Sequence, residues 1–342
     1  MKNFNLRDFG AGIWERSNRA QRIAIVLVTI ALAALLPFAG ASFLATPVAA
    51  YDAVLVYPVA FFVLMSLGLN IVVGKSGMLD LGYVAFFAIG AYTNGLLSMH
   101  TGLNTWEIMP IGIAAAMFAG VLLGIPTLRL RGDYLAIVTL GFGEIIRIVA
   151  LNVSWTNGPN GISGIQMPPA ILGKEFALDD QKLFFWVVLG MILLTIWMIR
   201  RLTVRRPGRA WEAIRQDEDA AELMGVPTLK YKIWSFTLGA AIGGAAGVLY
   251  AAKNLFISPE MFTLNVSILI LACVVFGGIG NIWGVILGGA ILGYLPDRIR
   301  FISDARLLVF GLVLIVVMNL RPDGLLPRKK REKALIKKGA NA

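Results

Sequence analysis

Cysteine and histidine are almost missing from this chain. One cysteine, Cys273, excludes an intramolecular disulfide and any cysteine-rich metal site, and one histidine, His100, leaves little for zinc or haem chemistry. Charge is also sparse, at 15% of 342 residues, and acidic groups are the scarcer kind: Asp+Glu 20 against Lys+Arg 31, a net +11. In a soluble chain that excess would suggest nucleic acid. Here the positive charges gather between apolar runs, so no basic face is left for a duplex to dock on. What the chain has in quantity is apolar surface: 58% of its residues are hydrophobic, which excludes an ordinary pair of soluble domains and points to lipid as solvent.

Crossing the hydrocarbon takes about 20 mostly apolar residues, and runs of that order predict about ten transmembrane helices. Seven are plain: 23–44, 53–73, 81–99, 108–128, 183–199, 231–252 and 264–276. Three are weaker: 134–151 carries Glu144 and Arg147, 282–295 is short and rich in glycine, and 307–320 is short but strongly apolar. The first run is longer than a signal-peptide core and follows a charged stretch, so it reads as a retained helix and Val48-Ala49-Ala50 as no cleavage site.

Charge sets the orientation. Lys2, Arg7, Arg16, Arg19 and Arg22 hold segment 1–22 in the cytoplasm. Threading ten spans from there puts Arg129 and Arg131 inside, 101–107 outside, and the acidic loop 152–182 with Glu175, Asp179 and Asp180 outside. The basic stretch 200–232 and the tail 321–342 fall inside, so both termini are cytoplasmic around a permease domain of 23–320. Reading 282–295 as interfacial would export the basic tail, so parity supports ten spans. Arg298, Arg300 and Arg306 fall outside, against the rule.

Thirty-seven glycines supply the packing. Gly120 and Gly124, then Gly239, Gly243 and Gly247, then Gly280, Gly284 and Gly288, then Gly289 and Gly293 recur four apart, the spacing that lets helices approach closely in a membrane. Gly74, Gly77 and Gly90 repeat the spacing of Gly277, Gly280 and Gly293, a weak internal repeat.

Catalytic motifs are missing. Gly74-Lys75-Ser76 resembles the end of a phosphate-binding loop, but the glycine required five residues earlier is Leu69, so Lys75 reads as a cytoplasmic flanking charge. The chain holds no H-E-x-x-H, G-x-S-x-G or C-x-x-C, and is expected to be no enzyme and to bind no metal or cofactor of its own. The sequons at Asn152 and Asn265 carry no weight, since such triplets arise by chance.

Polar groups at membrane depth are the candidates for a translocation path, because each costs several kcal/mol unless it is paired or wet. They are Asn70, Asp80, Asn94, Glu144 and Arg147, with Thr93 beside Asn94. Glu144 and Arg147 stand three apart and can neutralise each other on a helix, so a self-satisfied pair competes with a role in the path. Asp80 either caps the third span or faces a wet path. Asn157-Gly158-Pro159-Asn160-Gly161 is a tight external turn or a gate.

The stretch 205–232, RRPGRAWEAIRQDEDAAELMGVPTLKYK, is neither apolar enough to span nor disordered in composition. Pro207 suits a first helical turn, Gly225 followed by Pro227 suits a stop, and Trp211, Ile214, Ala221, Leu223 and Met224 predict an apolar face. Asp219-Ala220-Ala221-x-x-x-Gly225 resembles the EAA signature of ABC importer permeases, with Asp where Glu is usual. LGLNIVVGKSGMLDLGYVAFFAIGAYT at 67–93, RGDYLAIVTLGFGEIIRI at 131–148, TNGPNGISGI at 156–165, GRAWEAIRQDEDAAELMGV at 208–226 and NLRPDGL at 319–325 resemble the larger permease subunit of branched-chain amino acid ABC importers.

That resemblance implies an all-α importer-permease fold in the bacterial inner membrane, with Asp219, Ala220, Ala221 and Gly225 in an ATPase-coupling loop. It also implies a second homologous permease, two cytoplasmic ATPases that bind the ATP, and a periplasmic binding protein delivering leucine, isoleucine or valine. Close relatives that import urea or amides leave the substrate open. An ion-coupled secondary transporter, for which Glu144 is the coupling candidate, and a membrane scaffold are the readings from other classes.

Overall fold

The computed structural model describes residues 31–38, 51–127, 132–170 and 181–298, with shorter stretches at 28, 130, 173–174, 176–177, 308, 311–312, 315–316, 319 and 324–326. Outside the described residues lie segment 1–22, most of the predicted spans 23–44 and 307–320, and nearly all of the tail. Val48-Ala49-Ala50, Arg129, Arg131, Glu175, Asp179, Asp180, Arg300 and Arg306 lie outside them too. The chain divides into two compact units, Met1–Leu44 and Ala45–Ala342. In the first, Leu36–Phe38 forms a 3₁₀ turn with Pro37 buried.

The second unit is a helical bundle. Its helices are α1 (Tyr51–Lys75), α2 (Val84–Thr101), α3 (Thr105–Thr127), α4 (Asp133–Asn152) and α5 (Lys182–Val204), then two short helices, α6 (Arg206–Gln216) and α7 (Glu218–Leu223). They are followed by α8 (Thr228–Asn254), α9 (Leu264–Gly277) and α10 (Ile282–Arg298). Each of the eight predicted spans between residues 53 and 295 is a helix within a few residues of its expected bounds. Among the described residues six segments are long and apolar enough to cross a membrane, in α1, α3, α4, α5, α8 and, with the turn before it, α9; α2 and α10 are shorter or more polar.

Glycine decides which helices touch. α8, the most glycine- and alanine-rich, lies between α2, α3 and α1. Gly120 and Gly124 of α3 meet Ala240 and Ile233 of α8, while Gly243 of α8 faces Phe86 and Tyr83. In α10 the two pairs serve two neighbours: Gly284 and Gly288 lie against Gly277 of α9, and Gly289 and Gly293 against Val63 and Val59 of α1. A Cβ on Gly289 would stand 3.0 Å from the Cα of Val63, so the helices approach backbone to backbone.

At one end of the bundle an aromatic cluster joins α1, α2 and α8. Tyr250 has ring neighbours Tyr57, Phe61 and Phe87 at centroid distances of 5.2, 5.8 and 5.0 Å, and Phe262 closes on Phe87 at 5.4 Å. The turn after α4 holds Asn157 at φ 61, its Nδ2 donating to the carbonyl of Gly161 at 2.9 Å. It leads into a two-residue strand, β1 (Ile162–Ser163), paired antiparallel with β2 (Phe256–Ile257). This short ladder departs from an all-α reading.

The predicted glycine repeat has a structural counterpart. Gly77, in the turn between α1 and α2, has φ 77, and Gly280, in the turn between α9 and α10, has φ 85. Two helix–turn–helix units thus place a left-handed glycine at the same step, as Gly90 and Gly293 lie at close helix contacts of α2 and α10.

Candidate functional site

The segment 205–232 folds against the end of the bundle opposite the aromatic cluster. Arg205 is extended, Pro207 sits in the first turn of α6, and Asp217, extended again, ends α6 and starts α7. The Asp217 Oδ1 accepts from the Ala220 N–H at 3.0 Å, an N-cap that leaves Glu218 and Asp219 in the first turn of α7, where carboxylates favour the helix dipole. Gly225, at φ 80, closes α7 by letting the Val226 N–H return to the carbonyl of Ala221 at 3.0 Å.

Trp211, Ile214 and Ala221 are buried, as the periodicity predicts. Leu223 and Met224 are not: they stand 88% and 84% exposed at the tip of α7. The segment was expected to form short helices, as it does, with all five residues on an apolar face. The break at Asp217 turns α7 relative to α6, so the last apolar pair points away from the bundle.

Three links hold this segment to the bundle. The Trp211 indole N–H donates to the carbonyl of Tyr231 at 2.7 Å, and Glu218 forms an ion pair with the buried Lys232, both tying it to the start of α8. Arg215 donates to the carbonyl of Gly74 at the end of α1, and its aliphatic stem lies over Gly77, where a Cβ would come within 2.8 Å of the Arg215 Cγ.

From Gly74 the connections continue into the turn between α9 and α10. The Gly280 N–H donates to Asn70 Oδ1 at 2.9 Å, and Lys75 Nζ donates to the carbonyl of Gly280 at 2.7 Å. Lys75, expected as a cytoplasmic flanking charge, is buried, its ammonium held by a carbonyl 205 residues away. Ser76 bridges to Ser235 of α8 at 2.9 Å. The start of the tail joins the same cluster, with Leu325 and Leu326 N–H donating to Phe276 and Gly277, and Asn281 Nδ2 donating to Leu326. Residues 324–326 therefore lie beside the start of α10, at the end opposite Arg298.

The predicted path residues occupy separate junctions. Asn70 braces the α9–α10 turn; Asp80, fully buried, accepts from the Gly82 N–H at 2.9 Å through Oδ1, in the turn ahead of α2; Asn94 Nδ2 donates to the carbonyl of Val248 at 2.9 Å across α2 and α8. Each also keeps one buried polar atom without a protein partner: Asn70 Nδ2, Asp80 Oδ2 and Asn94 Oδ1. Arg147 Nε donates to Glu144 Oε1 at 2.8 Å and Nη2 reaches the same oxygen, so the expected pair forms within α4. Among the described residues no group of three or more His, Cys, Asp or Glu is placed to hold a metal.

Arg215, Glu218 and Lys232 escaped the sequence reading because their partners are remote carbonyls or a residue 14 positions away. Only the Asp217 cap carries a local signal, an Asp directly before an alanine-rich helical stretch.

Residues 51–318 match the family described as branched-chain amino acid transport system, permease component. The chain is similar to the high-affinity branched-chain amino acid transport system permease protein LivM of Escherichia coli K12, 43% identical over 301 residues that cover 82% of this chain and 70% of that protein. It is also similar to the probable branched-chain amino acid transport permease protein LivM of Methanocaldococcus jannaschii, at 27% identity over 76% of this chain and 84% of that protein. The permease protein LivH of E. coli aligns at 26% identity over 80% of the chain and 93% of its own length. No solved structure matches. By the extent of these matches the chain belongs to the permease-component family of branched-chain amino acid transport systems.

Proposed function

We propose that this chain is the larger permease subunit of an ATP-driven importer of leucine, isoleucine and valine in the bacterial inner membrane. It forms the translocation path with a second, homologous permease and has both termini in the cytoplasm. The observation that carries the reading is the coupling segment. A capped helix presents an exposed apolar tip, Leu223 and Met224, while its base is bonded to α1 and α8. A short amphipathic helix of this kind suits a groove on a partner protein. The similarity to the LivM proteins supports the substrate class.

In this reading two cytoplasmic ATPases bind the ATP and receive α7, and a periplasmic binding protein delivers the amino acid. The permease itself needs no cofactor, because its work is a change between inward-open and outward-open states. Closure of the ATPases moves α7, and the Arg215–Gly74 and Glu218–Lys232 links pass the motion to α1 and α8. The unpaired atoms of Asn70, Asp80 and Asn94 are the groups available to a hydrated path through the bundle.

The test is gentle extraction of the tagged chain from its native membrane, mass spectrometry of what comes with it, and uptake of labelled leucine. Two ATPases and a second permease in the wild-type sample, both ATPases lost from a Leu223→Asp variant that still inserts, are the expected result. A chain recovered alone, with uptake that stops when the ion gradient is removed, overturns the reading in favour of Glu144 as an ion-coupling site.

A further inference from the structure

Of the six apolar spans, α4 is the least enclosed by the chain itself, 28% against 89% for α1. It packs through Thr139 and Gly143 against the turn ahead of α2, where a Cβ on Gly143 would stand 3.2 Å from the Cα of Gly82. Its other side carries Ile137, Gly141, Glu144 and Ile148, a 4-3-4 spacing that forms one stripe along a helix. Ile137 and Ile148 are exposed, and a Cβ on Gly141 would meet nothing within 4 Å.

Glu144 lies in the middle of this stripe, about 17 Å from the helix start at the usual rise per residue. Its side chain is 38% exposed and that of Arg147 25%. Mutual pairing uses one oxygen of the carboxylate and part of the guanidinium, which also lies within electrostatic reach of Glu260 in the turn before α9. Hydrocarbon is a costly neighbour for such a pair at mid-span, by several kcal/mol, and charged side chains in membrane helices face protein or water. The other exposed stripes lack this feature: Ile111, Phe118, Leu122 and Ile125 on α3, and Trp283, Leu287 and Ile291 on α10, are apolar throughout and suit lipid.

We infer that the Ile137–Gly141–Glu144–Ile148 face of α4 is the seat of the second permease subunit, with the Glu144–Arg147 pair enclosed in the seam between the two chains. The inference rests on the proposed subunit reading and adds to it the surface used. The partner is a membrane helix that can approach closely at the Gly141 gap and that presents a hydrogen-bonding or charged side chain to the ion pair. A homologous permease fits this description, since the LivH protein aligned above shares most of the chain's length and so its arrangement of helices.

The experiment uses the assembled complex in native membranes. A photoreactive benzoylphenylalanine replaces Ile137, Ile148 or, as the lipid-facing control, Leu122. After irradiation positions 137 and 148 are expected to give a product with the mass of two permeases, and position 122 lipid adducts alone. Lipid adducts alone at 137 and 148, or products joined to an ATPase or to this chain's own residues 23–44 or 307–320, overturn the seam while a co-purified second permease upholds the subunit reading. A wild-type sample without any second permease overturns both. Gly141→Leu gives a second measurement: a Cβ there meets no atom of its own chain within 4 Å, so insertion is expected to stay normal while recovery of the second permease drops about tenfold. Unchanged recovery overturns the seam.

Discussion

At the scale of single residues, the molecule depends on buried and half-buried charges that are answered by partners far along the chain. Arg215 is the clearest, because its guanidinium holds the Gly74 carbonyl and its stem covers Gly77. A hydrogen bond from a charged donor contributes about 1.5–3 kcal/mol. Arg215→Gln is therefore expected to lower leucine uptake by about tenfold while the ATPases still co-purify, read as transport per ATP hydrolysed in vesicles. Full uptake would place the transmission elsewhere. Lys232 gives a prediction on stability: its side chain is 5% exposed and Glu218 is its counter-charge. Glu218→Ala strands a buried ammonium, at a cost of about 3 kcal/mol, and Glu218→Ala with Lys232→Met recovers most of that loss; thermal melts of the four proteins in detergent complete the cycle. Neither residue was legible in the sequence. A lysine at the end of an apolar run looks the same whether it faces water or a carbonyl, as Lys75 also shows.

At the scale of elements, much more was legible. Hydropathy located eight spans within a few residues, because in lipid a run of apolar residues has almost no alternative to a helix. The four-residue glycine spacing named the contact faces but not the partners, and α10 uses two interleaved faces for two different helices. Gly289→Leu is expected to abolish a monodisperse chain, since Val63 backbone occupies the space, whereas Gly190→Ala on α5, with nothing within 4 Å of its Cβ, is expected to be neutral or to stabilise by up to about 1 kcal/mol. Size-exclusion profiles in detergent separate the two. The orientation of α7 was misjudged because periodicity was read across a break: Asp217 is a cap, so Leu223 and Met224 belong to a second helix with its own facing.

At the scale of the whole molecule, sidedness is the testable property. The coupling segment, the α9–α10 turn and the start of the tail share one end of the bundle, and Trp155 lies on the turn that leaves the other end of α4. With Cys273 buried and inert to a bulky reagent, a cysteine at the exposed Trp155 is expected to react with an impermeant maleimide in intact cells, and one at Leu223 only after the membrane is opened. The reverse pattern would invert the topology that the basic loops imply. Of the candidate path, the sequence could nominate Asn70, Asp80 and Asn94 but not their surroundings, since helix rotation depends on packing between distant segments. The attachment of the coupling segment to α1 also fixes the mechanics. α1 is walled by protein along most of its length, and packed interiors are nearly incompressible. In the proposed coupling role the chain would have its handle on its innermost rod, so a pull at this end of the bundle would be felt by the surrounding helices before any of it is dissipated in fluid lipid.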